Sequence, residues 1–308
     1  MSGTHQYLVA IDFDGTSAAT FEDSSNGMNV HVASNKAIAE IFGSEGVHVY
    51  EKLGGLMNRD PGELITIMLK TMGLSSEPKD ITELYIQKKL SYLIPEVSPI
   101  WPRLYPGVKQ FFLAVGKGEL PIDIAIISSG HDSFIQRVFD ANGIPQPNIL
   151  VTSDIIQSRE MPRRARYKPF TYQLAEAHRQ WEGSNNIHER YVGRAHGKSN
   201  MIYIGDDEKK DGGLAEQARI PFLFVPFTNP DFIPREEKGQ LLISDFVHLR
   251  GLLTDNIDRL TKGESFSSIL FGKGDDELFR PLPESEWPYR KMIQKPGGEW
   301  ASSRMNKK

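Results

Sequence analysis

The 308 residues include no cysteine, which removes disulfides, thiolate metal sites, iron–sulfur clusters and cysteine nucleophiles together. No stretch approaches the roughly 18 apolar residues of a membrane span. The N-terminal MSGTHQYLVAIDFDGT lacks a basic n-region and its apolar run is cut at Asp12, so it does not read as a secretory signal. An excess of one charge is missing too: 36 Lys and Arg against 40 Asp and Glu leave a net charge of −4, too balanced for a long nucleic-acid footprint or a membrane-surface patch. Internal repeats are absent, and the eight histidines have no HExxH or other ligand spacing. With 39% hydrophobic and 25% charged residues the chain is globular in composition, which excludes disorder, collagen or a coiled coil as its main state. The expectation is a cytoplasmic protein with neither nucleic acid nor membrane as partner; the oligomeric state is not legible.

What is present is a set of short apolar runs, each ending in small or acidic residues. YLVAI precedes Asp12, IDIAII precedes Ser128, MIYI precedes Gly205 and Asp206, and PFLFV occupies 221–225. Continuous apolar runs of this length suit strands buried on both faces of a parallel sheet. Helical stripes lie between them, at Val108, Phe111, Phe112 and Val115 and at Phe134, Ile135, Val138 and Phe139, spaced i, i+3, i+4. The alternation predicts an α/β, doubly wound, mostly parallel sheet core over 1–16 and 105–254. Residues 17–104 break it and read as an inserted α-helical domain, with Asp60-Pro61 and Glu63 opening one helix and Asp80 with Glu83 capping another. Residues 180–200 read as a long polar, Gly-rich loop, and 255–308 read as a periodicity-poor C-terminal extension with a frayed end.

Ligands of doubly wound sheets bind beyond the carboxyl ends of the strands, where the polar residues just named fall. Asp12 and Asp14 lie at i and i+2 of an extended segment and can face one pocket. Two carboxylates about 4 Å apart repel by roughly 4 kcal/mol at an effective dielectric near 20, so something positive must compensate. Asp206 and Asp207 add negative charge to the same edge, and an all-oxygen cluster suits a hard cation, Mg²⁺ above all. Gly15 permits a tight turn. Ser128, Ser129 and Gly130 run from a strand into a helix and offer a hydroxyl and free N–H groups to phosphate oxygens. Lys168, in Tyr-Lys-Pro, is a point charge for a phosphate or a carboxylate.

In order along the chain, DFDGT at 12–16, Ser128 after an apolar strand, Lys168-Pro169 and GDDEKKD from Gly205 to Asp211 resemble the four motifs of the haloacid dehalogenase (HAD) superfamily. LYPGVKQFF at 104–112 and FDANGI at 139–144, with the place of the insert, are similar to its phosphoglycolate-phosphatase-like, helical-cap branch. The resemblance spans roughly residues 6–254. It implies a Rossmann-like core with a helical cap, and a Mg²⁺-dependent phosphatase acting on a small phosphorylated metabolite. It further implies Asp12 as the nucleophile that forms an aspartyl-phosphate and Asp14 as general acid and base. The metal would be held by Asp12, the Asp14 carbonyl, Asp206 and, directly or through water, Asp207. The phosphoryl group would meet Thr16, Ser128, Ser129, Gly130 and Lys168, with Asp211 orienting Lys168 or the metal waters. Phe170-Thr171 departs from the pattern, which usually has a second proline after the lysine.

Rival readings of the same residues exist. DFDGTSAATFED fails as an EF-hand, because Gly15 would be at loop position 4 and Asp23 at position 12. GRAHGKS at 193–199 has one residue too few between its glycines for a phosphate loop and precedes a strand. Arg59, Arg163, Arg164 and Arg166 read as solvated charges, with an anionic substrate as the sharper alternative; His131 adjoins the serine loop. A phosphosugar mutase or other phosphotransferase with the same chemistry, or a non-catalytic phospho-ligand-binding protein, are the alternatives to hydrolysis.

Overall fold

A computed structural model describes residues 6–22, 28–55, 61–94, 102–157, 168–169, 172–183, 200–228 and 230–279. In chain order, β1 (Tyr7–Ile11) is followed by three helices, α1 (Val30–Lys52), α2 (Pro61–Thr71) and α3 (Pro78–Leu93). Then come α4 (Val108–Gly116), β2 (Ile122–Ile127), α5 (Asp132–Asn142), β3 (Ile149–Val151), α6 (Ser153–Gln157), α7 (Tyr172–Trp181) and β4 (Met201–Gly205). The chain continues through α8 (Gly213–Ala218), β5 (Phe222–Phe224), β6 (Gln240–Leu242), α9 (Phe246–Asp255), α10 (Ile257–Thr261), α11 (Phe266–Phe271) and α12 (Asp275–Leu278). It forms two compact units, Met1–Ala18 with Leu104–Lys308, and Ala19–Arg103.

The first unit is built on a six-stranded sheet ordered β3-β2-β1-β4-β5-β6, parallel throughout. The expected Rossmann-like α/β architecture is the one observed. β1 and β2 are buried at every residue; the one acid among them, Asp123 of β2, accepts from the Trp181 indole N–H at 2.9 Å. One sheet face, with Leu8, Ala10, Ile127, Tyr203 and Phe224, packs against Leu174 of α7 and Leu214 of α8. The chain leaves β1 toward β2 and β3, then crosses back to lay β4 on the other side of β1. That reversal opens a crevice at the carboxyl ends of β1 and β4, where Ile11 stands level with Ile126 and Ile204. Asp12, Ser128 and Asp206 therefore leave the sheet along one edge.

The second unit is helical among its described residues, and α1, α2 and α3 share a core of Ala37, Ile38, Leu64, Ile65, Met68 and Tyr85. Pro61 opens α2; Asp60 lies outside the described residues. The capping expected of Asp80 and Glu83 is not what forms. Extended Glu77 is the N-cap and Pro78 takes the first helical position, where its missing N–H costs nothing, so both acids fall inside α3.

The described part of 255–308 is helical and joins the first unit: the Tyr7 hydroxyl donates to the Glu264 carbonyl at 2.6 Å, and the Tyr7 and Phe266 rings meet edge to face at 5.1 Å. Helices of four to six residues are too short to carry a periodic signal. Among the described residues, no helix is long and apolar enough to cross a membrane.

Candidate active site

Asp12 leaves β1 with its backbone N–H on the Ile204 carbonyl at 2.9 Å, and its Oδ1 accepts from the Phe13 N–H at 2.8 Å. The same Oδ1 is 2.6 Å from Nζ of Lys168. Lys168 Nζ is also 2.8 Å from Oδ1 of Asp211 and 5.5 Å from the centre of the Tyr203 ring. The lysine side chain is 5% exposed. Burial favours its neutral form, yet the charges of Asp12 and Asp211 outweigh that and hold its pKa well above the ordinary lysine value, so it is an ammonium.

Asp206, Asp12 and Asp211 are buried with carboxylate oxygens within 4.8 Å of one another. Burial pushes the Asp12 carboxyl well above its ordinary value, and repulsion from Asp211, Asp206 and Asp14 adds to this against the pull of Lys168. Burial, with repulsion from Asp211, lifts Asp206 to about 6. Asp206 Oδ1 accepts from the Thr16 hydroxyl at 2.8 Å, and its Oδ2 accepts from the Thr228 hydroxyl. Gly15 (φ +82°) gives this carboxylate its room, because a Cβ there would stand 2.5 Å from Asp206 Oδ2.

Asp211 follows Asp206 through a π-helical turn, Glu208–Gly212. The wide turn lets Asp211 fold back so that its Oδ2 accepts from the Asp207 N–H at 3.1 Å. A Cβ on Gly205 would overlap the Asp211 carboxylate, so the strand end must be glycine. The Asp207 side chain takes another part: it accepts from the N–H groups of Lys209 and Lys210 at 2.9 and 3.0 Å. It caps the turn, and Asp211 is the third carboxylate of the cluster.

Ser128 donates to Asp14 Oδ2 at 3.0 Å and accepts from the Gly130 N–H at 2.8 Å. Its carbonyl is held by Gln173 of α7 at 3.2 Å. Ser129 is exposed, and His131 is buried as the N-cap residue of α5, with its Nδ1 2.9 Å from Asp154 Oδ1. Of the residues singled out in the sequence, Asp12, Asp206, Asp211 and Lys168 meet directly, Thr16 joins through Asp206, and Ser128 meets Asp14. Arg59, Arg163, Arg164, Arg166, Phe170, Thr171, the 184–199 segment with its GRAHGKS run, and 280–308 lie outside the described residues. Thr228, Tyr203 and Gln173 are additions that no motif announced; a threonine shortly after the PFLFV run is a faint signal for the first.

These residues fit a divalent hard cation. Three buried carboxylates, Asp12, Asp206 and Asp211, have ligand atoms in mutual reach, two of them beside the Lys168 ammonium, and the donors are all oxygens. The glycine cradle at Gly15 keeps the approach open.

No family model matches the chain, and the curated proteins give no match. Among solved structures, CbbY from Rhodobacter sphaeroides in complex with phosphate is similar at 17% identity and TM-score 0.50, over 79% of this chain and 96% of that one. A mutant of CbbY in complex with xylulose-1,5-bisphosphate is similar at 16% identity and TM-score 0.50, over 79% and 96%. A HAD-superfamily hydrolase from Ehrlichia chaffeensis is similar at 13% identity and TM-score 0.43, over 83% and 98%. At such identities the likeness is one of fold: this chain has the Rossmann-like α/β fold of the CbbY structures.

Proposed function

We propose that the chain is a Mg²⁺-dependent phosphatase that hydrolyses a small phosphorylated metabolite through an aspartyl-phosphate on Asp12. The observation that carries this reading is the convergence of Lys168 on Asp12 at 2.6 Å beside the buried Asp12, Asp206 and Asp211 cluster. A lone pair of carboxylates has structural uses; a buried carboxylate sharing one ammonium with an all-oxygen cation site has few besides phosphoryl transfer, and the ammonium with a bound cation would hold Asp12 ionised against its burial. The phosphate and xylulose-1,5-bisphosphate held by CbbY, a protein similar in fold, support the substrate class.

Asp12, Asp206 and the Asp14 carbonyl would hold the cation, which supplies charge neutralisation for the transferring group when bound. A carboxylate oxygen of Asp12 attacks phosphorus as the bond to the leaving oxygen breaks, and Asp14 gives that oxygen a proton. Asp14 then takes a proton from the water that attacks the phosphoryl group, and Asp12 is freed with release of phosphate. Lys168 balances charge on Asp12 and on the phosphoryl oxygens, while the Ser128 hydroxyl, held by the Gly130 N–H, would turn from Asp14 to orient them when substrate binds. Asp211 keeps the ammonium aimed. The helical unit is assigned the choice of leaving group.

The test is phosphate release from a panel of phosphorylated metabolites and an aryl phosphate, with and without Mg²⁺, for the native chain and Asp12→Asn. Metal-dependent release that the substitution abolishes is expected. Turnover retained by Asp12→Asn excludes the covalent route, and inactivity of the native chain across a broad panel favours a phospho-ligand-binding protein.

A further inference from the structure

We propose that Thr228 is a positioning residue for Asp206, fixing that carboxylate for the cation; the inference rests on the metal-dependent reading above. An aspartate's terminal torsion is broad and roughly two-fold, so a single hydrogen bond leaves the carboxylate plane free to tilt. Asp206 has two, one on each oxygen and from different parts of the chain: Thr16 after β1 donates to Oδ1 at 2.8 Å, and Thr228 beyond β5 donates to Oδ2. A carboxylate offers about four lone-pair directions; two hydroxyls leave the others for a cation while holding the plane.

The segment carrying Thr228 is itself anchored. The Val225 N–H donates to the Gly205 carbonyl at 3.0 Å, tying the exit of β5 to the residue before Asp206. Phe227 stacks on Tyr105 with ring centroids 4.0 Å apart and planes 7° from parallel. The hydroxyl thus reaches Asp206 from a fixed base, not from a free loop. Thr228 is exposed, so its replacement leaves the core intact. Partners of this kind behind a metal ligand are worth about 10–100-fold in metal affinity.

The experiment titrates Mg²⁺ alone into the full chain by calorimetry, without substrate, for the native protein, Thr228→Val and Thr228→Ser, with thermal unfolding of each recorded. Thr228→Val, equal in shape but without the hydroxyl, is expected to bind Mg²⁺ about 10–100-fold more weakly, and Thr228→Ser to stay within about threefold of native. In turnover, the Mg²⁺ concentration for half-maximal rate should rise in Thr228→Val while the rate at saturating Mg²⁺ changes little. Native-like Mg²⁺ affinity in Thr228→Val overturns the proposal. Equal weakening in both variants also overturns it, since the hydroxyl would then not be the cause. Should Thr228→Val fail to unfold cooperatively, Thr228→Ala takes its place as the hydroxyl-free variant: affinity weakened about 10–100-fold there with Thr228→Ser native-like upholds the proposal, and native-like affinity in Thr228→Ala overturns it. If the native chain binds no Mg²⁺, the metal-dependent reading itself falls.

Discussion

Lys168 and Asp211 form a buried ion pair, Nζ to Oδ1 at 2.8 Å, and that pair exists only because residue 205 has no side chain. A Cβ on Gly205 would overlap the Asp211 carboxylate. Gly205→Ala is expected to push Asp211 off Lys168 and to cost about 1–3 kcal/mol by overpacking, read by denaturant unfolding. Asp211→Asn keeps the shape and removes the charge, so it should lower phosphate release with a smaller stability loss, about 1–2 kcal/mol. Equal stabilities for Gly205→Ala and the native chain would show that the strand end has slack the geometry denies.

Ser128 joins two parts of the proposed chemistry, because its hydroxyl donates to Asp14 at 3.0 Å and accepts from the Gly130 N–H at 2.8 Å. Removing one preorganised donor at a site of developing charge typically costs about 10²–10³ in kcat. Ser128→Ala is expected to fall in that range on any substrate the native chain hydrolyses, with a stability loss of about 1–3 kcal/mol from the partners left unpaired. Steady-state kinetics decide it: a change confined to KM would make Ser128 a binding group only.

The parts of this site that follow long apolar strands were legible in the sequence. Asp12, Ser128 and Asp206 each end a run of buried residues, and a doubly wound sheet places such ends together. β3 and β6 were not legible: each has three residues and, unlike β5 inside PFLFV, no longer apolar run around them to read. Asp207 and Asp211 lie four apart in one acidic run; which of them joins Asp12 and Asp206 depends on a π-helical turn, and hydropathy does not report turn width. Thr228 depends on the register of β5 against β4, a long-range pairing that no local motif encodes.

Removal of divalent cation gives a stability prediction as well as an activity one. Asp12, Asp206 and Asp211 are buried together and Lys168 offsets only part of their charge. Mg²⁺ that binds the folded chain alone stabilises it by RT ln(1 + [Mg²⁺]/Kd), about 2.7 kcal/mol at a hundred times Kd. Thermal unfolding after chelation should therefore move upward on adding Mg²⁺, and the gain should disappear in Asp206→Asn. A midpoint indifferent to Mg²⁺ in the native chain would count against the cation site independently of any substrate.

A pH prediction concerns the base of the serine loop, away from the carboxylate cluster. Burial alone would lift Asp154, but the hydrogen bond and charge of His131 and the Asp132 N–H outweigh it and hold its carboxyl below the ordinary value of 3.8. A group whose folded pKa is depressed adds stability that is fully present above its unfolded value and is lost as pH falls through the folded one. The native chain should accordingly exceed Asp154→Asn in unfolding free energy at pH 5–7 by no more than about 1 kcal/mol, since the side chain is 39% exposed and solvent screens it. The gap should close as pH drops below 3.8. Denaturant unfolding of both proteins across that range is the measurement. A gap constant with pH would mean that Asp154 acts by shape, and that its ionised form does not hold His131 and the first turn of α5 behind Gly130.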